Sequence, residues 1–166
     1  MKKAPAGLDI DEDLSFQRRE WVFQRIGWWV LSAFVLAAAL GVFGRGPLSQ
    51  AEAGERASTL WIEYERFIRV GARTRIIIHA TATENGLHLR LNRDFLEGYR
   101  LEGVTPEPAA IEPGPSVTGI RFDPPASGAT PFTIILDLEP LQAGRHTASV
   151  ASGDGARASF RQLAYF

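Results

Sequence analysis

The sequence contains no cysteine and only one methionine in 166 residues. The absence of cysteine excludes disulfides, thiolate zinc sites, iron–sulfur ligation and cysteine nucleophiles. It also disfavours copper delivery, because soft sulfur ligands hold copper(I) and only Met1 is available.

The chain also lacks an excess of charge of either sign, since 18 Lys and Arg are balanced by 19 Asp and Glu. Residues 57–166 contain 11 Arg, no Lys and 12 Asp and Glu, for a net charge of −1. Nucleic-acid binding requires a concentrated positive footprint, which a near-neutral domain is not expected to provide. We therefore expect no nucleic-acid partner.

One long apolar run is present. Residues 26–43 carry no charge, and 18 helical residues would span ~27 Å, close to the hydrocarbon thickness of a bilayer. Tryptophans suited to the membrane interface lie at its N-terminal end: Trp21, Trp28 and Trp29. We predict a transmembrane helix over residues 26–44.

Basic residues are more frequent before this run than after it. Those that precede it are Lys2, Lys3, Arg18, Arg19 and Arg25, whereas Arg45 and Arg56 follow closely. Short flanks rich in Lys and Arg stay in the cytoplasm. We therefore expect the N-terminus to lie in the cytoplasm and the C-terminal domain to lie on the other side of the membrane.

A cleaved signal peptide is the alternative to a permanent anchor. Ala51-Glu-Ala53 resembles a cleavage site, but it lies eight residues beyond Phe43 and a charged head of 25 residues precedes the run. Arg18-Arg19 is followed by Glu20, a poor match to a twin-arginine signal. We predict an uncleaved anchor.

The segments on either side of the run differ from it in composition. We expect residues 1–25 to be a cytoplasmic head, disordered at first and then forming an interfacial helix, because charged and apolar residues mix before the run. Residues 45–57 are rich in Gly, Ala and polar residues and are predicted to be a linker. The external domain would then cover residues 58–166.

In this domain apolar residues recur at every second position, which is typical of strands with one buried face. The clear runs are Leu60, Ile62 and Tyr64; Ile76, Ile78, Ala80 and Ala82; Leu87, Leu89 and Leu91; and Phe132, Ile134, Leu136 and Leu138. Weaker candidate strands are residues 99–104, 117–122, 145–151 and 156–165.

Turn signals separate these runs. Asn85-Gly86 predicts a hairpin, and residues 92–97 predict a single helical turn. Seven or eight short strands in about 110 residues favour an immunoglobulin-like antiparallel β-sandwich, with a small barrel as the alternative. The predicted fold class is therefore mainly β, with a single N-terminal transmembrane helix.

The sequence has three histidines that could bind a metal through their imidazoles: His79, His88 and His146. In an Asn-Gly hairpin His88 would face Thr83 and His79 would face Asn92, which separates the two imidazoles. A looser turn would place them diagonally, about 7–8 Å apart. Glu63 opposite His79 would form a solvated charge pair. We expect no metal site, and a solute- or metal-sensing domain that uses the three histidines is the alternative hypothesis.

No catalytic motif is present. The serines lack a G-x-S-x-G elbow, and Gly153-Asp-Gly155 is typical of a hairpin turn because no helix follows it. Candidate acids and bases fall on polar strand faces or in turns, where solvated carboxylates are common: Asp123, Asp137, Glu139 and Asp154. We expect neither an enzyme nor a cofactor.

Two features point to a protein partner or to self-association. Small residues recur along the span and would let helices approach closely, or would simply face lipid: Ala33, Ala37, Gly41 and Gly44. Trp61, Ile77 and Ile135 point away from the predicted core and would form an exposed apolar patch if their strands are neighbours. The alternative is that a second sheet or the extended residues 105–116 cover them.

Several segments carry a family resemblance: Phe43-Gly-Arg-Gly-Pro-Leu-Ser49, Glu63-Tyr-Glu-Arg-Phe67, and Ser159-Phe-Arg-Gln162 followed by Tyr165-Phe166. Together they resemble a group of small uncharacterised bacterial inner-membrane proteins with one N-terminal span and an external β domain. The resemblance implies a bacterial inner-membrane protein with its N-terminus in the cytoplasm and its C-terminal β domain in the periplasm, and it carries no known activity. A looser likeness links the chain to anchored assembly factors of respiratory oxidases, but the copper-binding cysteine motif found in some of them is absent.

Our main hypothesis is a non-enzymatic bitopic membrane protein. Its external domain would bind or support another membrane protein, as an accessory or assembly subunit.

Overall fold

The computed structural model describes residues 14–40, 46, 48–124 and 130–166. Over these residues the protein is mainly β with one long N-terminal helix. The chain divides into two compact units, Met1–Ala37 and Ala38–Phe166, which are described separately below.

The N-terminal helix, α1, covers Leu14–Ala39 without interruption. The predicted interfacial helix and most of the predicted span are therefore parts of one helix. Within the described residues Glu20–Ala39 is the one segment long and apolar enough to cross a bilayer, although a signal sequence passes the same test. Residues 1–13 of the predicted head and residues 41–44 of the predicted span lie outside the described residues.

Eleven strands and one short helix follow in the described part of the chain. They are β1 (Gln50–Gly54), β2 (Leu60–Glu65), β3 (Phe67–Arg69), β4 (Thr74–Ala82), β5 (Leu87–Asn92), α2 (Arg93–Glu97), β6 (Tyr99–Thr105), β7 (Ala110–Pro113), β8 (Val117–Phe122), β9 (Thr130–Pro140), β10 (Gly144–Ser152) and β11 (Arg157–Tyr165). All the predicted strands and the predicted helical turn are present.

The strands form two sheets. The five-stranded sheet has the order β1-β2-β4-β9-β6 and is antiparallel throughout. The six-stranded sheet has the order β3-β11-β10-β5-β8-β7 and is mixed, because β3 runs parallel to β11. The expectation of a purely antiparallel fold is therefore corrected, and the described strands do not close into a barrel.

The inward faces of both sheets contribute to one hydrophobic core. The alternating residues predicted for it are buried, and Ile62, Ile78 and Ile134 have no exposed surface. Aromatic contacts connect the two sheets, with the ring centroids of Tyr64 and Phe160 4.5 Å apart. Burial of alternate apolar side chains from both sheets is the main source of stability.

Three strands were not predicted: β1, β3 and β7. β1 lies inside the predicted linker over 45–57, so that prediction is wrong for residues 50–54. Ala53 contributes to the core, and buried Ser49 bonds the backbone of Phe67 with its hydroxyl. These segments are only three to five residues long and lie at sheet edges, so their pairing depends on neighbouring strands rather than on a local pattern.

The predicted hairpin at Asn85-Gly86 is also wrong. A turn is present, with a bridge between Thr83 and Gly86, but β4 and β5 belong to different sheets. Both edges of β4 are already paired, with β2 on one side and β9 on the other. The chain therefore has to leave the sheet after β4, and β5 pairs with β8 and β10 instead.

A polar chain crosses the core between the two sheets. The hydroxyl of Tyr99 donates to Oε1 of Gln162 at 3.0 Å, and Nε2 of Gln162 donates to the carbonyl of Glu65 at 2.8 Å. Tyr99 and Gln162 are both buried, and burial raises the pKa of the Tyr99 phenol above its ordinary value. The domain thus depends on a neutral tyrosine at this position.

The hydrogen bonds of Tyr99 and Gln162 predict that the folded domain loses stability at alkaline pH. The pKa of the Tyr99 phenol is higher in the folded protein than in the unfolded chain, where it is about 10. The buried neutral phenol therefore contributes fully to the free energy of unfolding below about pH 10, and this contribution is lost as the pH rises further. Tyr99→Phe should remove this alkaline loss while costing about 1 kcal/mol at neutral pH, because Gln162 loses a hydrogen-bond donor. Thermal unfolding between about pH 8 and pH 11 measures both effects, and Tyr165→Phe is the control. An unchanged alkaline loss in Tyr99→Phe would contradict the assignment.

Candidate partner-binding surface

The outer face of the five-stranded sheet brings the three predicted patch residues onto adjacent strands. Ile77 of β4 lies directly opposite Ile135 of β9, and Trp61 lies on the neighbouring strand β2. All three side chains are half-buried. We call Trp61, Ile77 and Ile135 the apolar patch.

The predicted cover for this patch lies elsewhere. Within residues 105–116, Ala110–Pro113 form β7, the edge strand of the six-stranded sheet. Thr105 is the last residue of β6 and pairs with Ile135 in the five-stranded sheet. The segment therefore begins in the edge strand of one sheet, β6, and continues into the edge strand of the other, β7. β7 does not lie over the patch.

His79 is held in place on three sides. Its ring stacks on Trp61 with centroids 3.8 Å apart and planes 8° from parallel. Nδ1 lies 3.3 Å from the Thr133 hydroxyl. Nε2 is buried without a hydrogen bond of good geometry, but Oε1 of Glu63 is 3.3 Å away. The stacking covers one face of the Trp61 indole with the imidazole.

The contact between Glu63 and His79 was predicted, but the register was not. Trp61 is the residue directly opposite His79, whereas Glu63 lies opposite Ile77 and reaches the imidazole diagonally. This shift of two residues in the register places Trp61 and His79 side by side on the outer face, where their rings stack.

Charged residues border the patch on the side of β1. Cζ of Arg56 lies 5.1 Å from the Trp61 ring centroid, and Nε of Arg56 donates to Oε2 of Glu52 at 2.7 Å. A second, short hydrogen bond joins Nη2 of Arg56 to Oε1 of Glu52. These bonds lower the pKa of the Glu52 carboxyl. The apolar patch is thus bordered by an ion pair that stays charged at neutral pH.

Sequence reasoning missed Glu52 and Arg56 as neighbours of Trp61. Their opposite charges four residues apart were a local signal. Both residues lay in the predicted linker, so no strand placed them beside β2. Recognising Gln50–Gly54 as an edge strand would have been enough to find them.

Glu63, His79 and Thr133 form a carboxylate–imidazole–hydroxyl line across three strands. Such a line can orient an imidazole and polarise a hydroxyl. Here, however, one face of the ring is covered by Trp61, and the strands that carry His79 and Thr133 pair along their whole length. The geometry supports an anchoring role for His79, and we derive no reaction from it.

The three histidines do not converge. His79 lies in the five-stranded sheet, whereas His88 and His146 lie on β5 and β10 of the six-stranded sheet. The amide of Gly153 bonds the carbonyl of His88, so His146 is seven residues, or about 23 Å, further along β10. No group of three metal-ligating side chains is found among the described residues. The sensing hypothesis based on these histidines loses its geometric basis.

The helix-packing candidates are only partly described. Ala33 and Ala37 lie one turn apart on α1, with Ala33 exposed and Ala37 half-buried, whereas Gly41 and Gly44 lie outside the described residues. The tryptophans of this helix are largely exposed: Trp21, Trp28 and Trp29. Arg25 lies over the Trp21 ring, with Cζ 4.9 Å from the centroid.

Comparison with known proteins gives no family assignment. No family model and no curated protein matches the sequence. The functional conclusions below therefore rest on the geometry of this chain alone.

The observed strand order can be tested by disulfide trapping, because the chain has no native cysteine. His88 lies opposite Arg121, so a His88→Cys/Arg121→Cys pair should cross-link under mild oxidation. The predicted hairpin would instead have paired His88 with Thr83, so Thr83→Cys/His88→Cys is the matched control. Cross-linking of the control pair, without cross-linking of the first, would contradict the strand order.

Proposed function

We propose that this chain is a bitopic inner-membrane protein whose external β domain binds or supports another membrane protein through the apolar patch. The observation that carries the proposal is the juxtaposition of Ile77, Ile135 and Trp61 on three adjacent strands of an outward sheet face. An outward face of a sheet is usually polar, and a cluster of large apolar residues there is typical of a contact surface.

The composition of this surface supports a protein partner. Tryptophan is enriched at the centres of interfaces, and charged groups usually form the rim. Arg56, Glu52 and the ion pair of Arg75 with Asp137 supply such charges around the patch. From Arg75 to His79 on β4, the three adjacent strands cover roughly 240 Å² of sheet surface, against about 800 Å² per partner in a typical stable interface. The patch would therefore be the centre of a larger contact.

The fold supports a permanent anchor over a cleaved signal. Cleavage near Ala53 would remove β1, which pairs with β2 along five residues. It would also remove Ser49, whose hydroxyl bonds the backbone of Phe67. A domain that uses residues this close to α1 in its own sheet favours retention of the helix, with the N-terminus in the cytoplasm as the flanking charges predict.

The helix would serve as a second contact with the partner or with another copy of this chain. Ala33 and Ala37 would allow close helix approach, and Gly41 and Gly44 would continue the same stripe. With these two contacts the chain would act as an accessory or assembly subunit, and we propose no enzymatic role and no cofactor for it.

We also infer an immunoglobulin-like arrangement for the domain. The chain crosses repeatedly between two sheets that share one core, and α2 is the single short helix in the described part of the domain. The resemblance to small bacterial inner-membrane proteins with one span and an external β domain agrees with this arrangement.

The proposal can be tested by mild detergent extraction followed by identification of bound proteins. Ile77→Arg/Ile135→Arg should strongly reduce recovery of a specific partner, because it places two charges in the centre of the contact. Thr147→Arg/Ser149→Arg adds the same charge to exposed positions of the six-stranded sheet and should leave recovery unchanged.

Far-ultraviolet circular dichroism of both variants distinguishes loss of binding from loss of folding. A folded Ile77→Arg/Ile135→Arg protein that retains its partner would contradict the role of the patch. Ala33→Leu/Ala37→Leu tests the helix contact separately, and full recovery in that variant would reject the packing stripe.

A further inference from the structure

The outer face of the six-stranded sheet is rich in arginine. Its outward positions alternate with buried core residues along each strand. The arginines at these outward positions are Arg69, Arg90, Arg121, Arg145, Arg157 and Arg161. We call these six residues the arginine face; His88 lies among them, opposite Arg121.

The register brings these arginines together across the sheet. Arg157 pairs with Ala151, and Ala151 pairs with Arg90 on the next strand, so two strand spacings, or about 10 Å, separate the two arginines. Arg161 of β11 lies opposite Thr147 of β10, and Arg145 lies two residues before Thr147 on β10. The positive charge is thus spread over β3, β11, β10, β5 and β8 rather than gathered in a groove.

Most of these guanidinium groups lack a carboxylate partner. Arg121 lies 3.6 Å from Glu112, but none of the other five has a carboxylate within 4.0 Å among the described residues. Arginines of the five-stranded sheet are paired instead, as in Arg75–Asp137 and Arg100–Glu139. The domain is therefore near-neutral in total and polarised between its two outer faces.

We propose that the arginine face docks on the phosphate groups of an anionic phospholipid surface. Guanidinium groups match phosphate oxygens in a two-point geometry, and an unpaired arginine has no carboxylate to give up on binding. Protein interfaces usually have aromatic anchors at their centre. The centre of this face carries instead the small polar residues Ser149 and Ser159, whereas Phe67, Leu163 and Tyr165 occupy outward positions at the β3 edge. A broad, flat distribution of charge fits a surface better than a single small anion.

The bilayer is also the nearest such surface. Ten residues separate Ala39 from Gln50, and even a fully extended chain of this length reaches only about 36 Å. This inference rests on the membrane anchor of the proposed function, because tethering is what gives the lipid its high effective concentration. Each arginine near an anionic membrane contributes about fivefold to the binding equilibrium. The arginine face would turn the apolar patch, on the opposite sheet, away from the lipid.

The test uses the full chain in nanodiscs with a single introduced cysteine that carries a spin label. Ser159→Cys places the label at the centre of the arginine face, and Thr133→Cys places it on the outer face of the other sheet. Discs contain either phosphatidylcholine alone or phosphatidylcholine with phosphatidylglycerol. Collision with a water-soluble nickel chelate measures how exposed each label is.

We expect the label at Ser159→Cys to lose access to the chelate several-fold when phosphatidylglycerol is present. The label at Thr133→Cys should not respond to the lipid. The protection should disappear at about 1 M salt, where the Debye length is about 3 Å. Recovery of the protein in the disc fraction reports the anchor independently, so failure of the anchor and failure of the arginine face are distinguishable.

Charge removal supplies the matched comparison. Arg90→Gln/Arg157→Gln removes two unpaired arginines and should weaken the protected state about 25-fold. Arg75→Gln/Arg100→Gln makes the same change in charge on the other sheet and should have no effect on the label at Ser159→Cys.

Equal access to the Ser159→Cys label in both kinds of disc would overturn the proposal. So would protection by dissolved polyglutamate or an oligonucleotide without any response to phosphatidylglycerol, since the face would then belong to an acidic protein or a nucleic acid.

Discussion

The pairing of β4 on both edges is the constraint on which the rest of the domain depends. β2 and β9 flank this strand, and its inward residues Ile76, Ile78 and Ala80 are buried in the core. Because no free edge remains, the chain has to cross to the second sheet after Ala82. The same pairing fixes the outward residues of β4, so that Ile77 meets Ile135 and His79 meets Trp61.

The outer faces of the two sheets differ in chemistry. On the five-stranded sheet, apolar side chains are surrounded by paired charges such as Arg75 with Asp137. On the six-stranded sheet, the arginines alternate at the centre with small polar residues, and among the described residues only Arg121 of the arginine face has a carboxylate within 4.0 Å. Desolvation is favourable for the first surface and costly for the second, so the first suits a packed protein contact and the second suits a hydrated anionic surface.

Much of the fold could be predicted because the long strands have strong patterns. In β5, and in β4 and β9 apart from Ile77 and Ile135, apolar residues alternate with polar ones, and burial of one face follows directly. β1, β3 and β7 are short edge or near-edge strands whose pairing comes from their neighbours, so local patterns did not reveal them. The Asn85-Gly86 turn was identified, but whether its strands pair depends on edges occupied elsewhere in the chain.

The candidate surface was predictable to a similar extent. Strand parity was enough to place Trp61, Ile77 and Ile135 on an outward face. The stacking of Trp61 on His79 required a register that the turn alone did not define. The charge count over residues 57–166 concealed the arginine face, because a sum has no information about which side chains share a sheet face.

The central claim is that one uncleaved helix keeps the β domain at a membrane. Alkaline extraction of membranes followed by intact mass measurement tests it most directly. The account predicts that the protein stays in the membrane pellet with the full mass of 18.2 kDa. A protein found in the aqueous fraction, shortened to a start near Ala53, would contradict it.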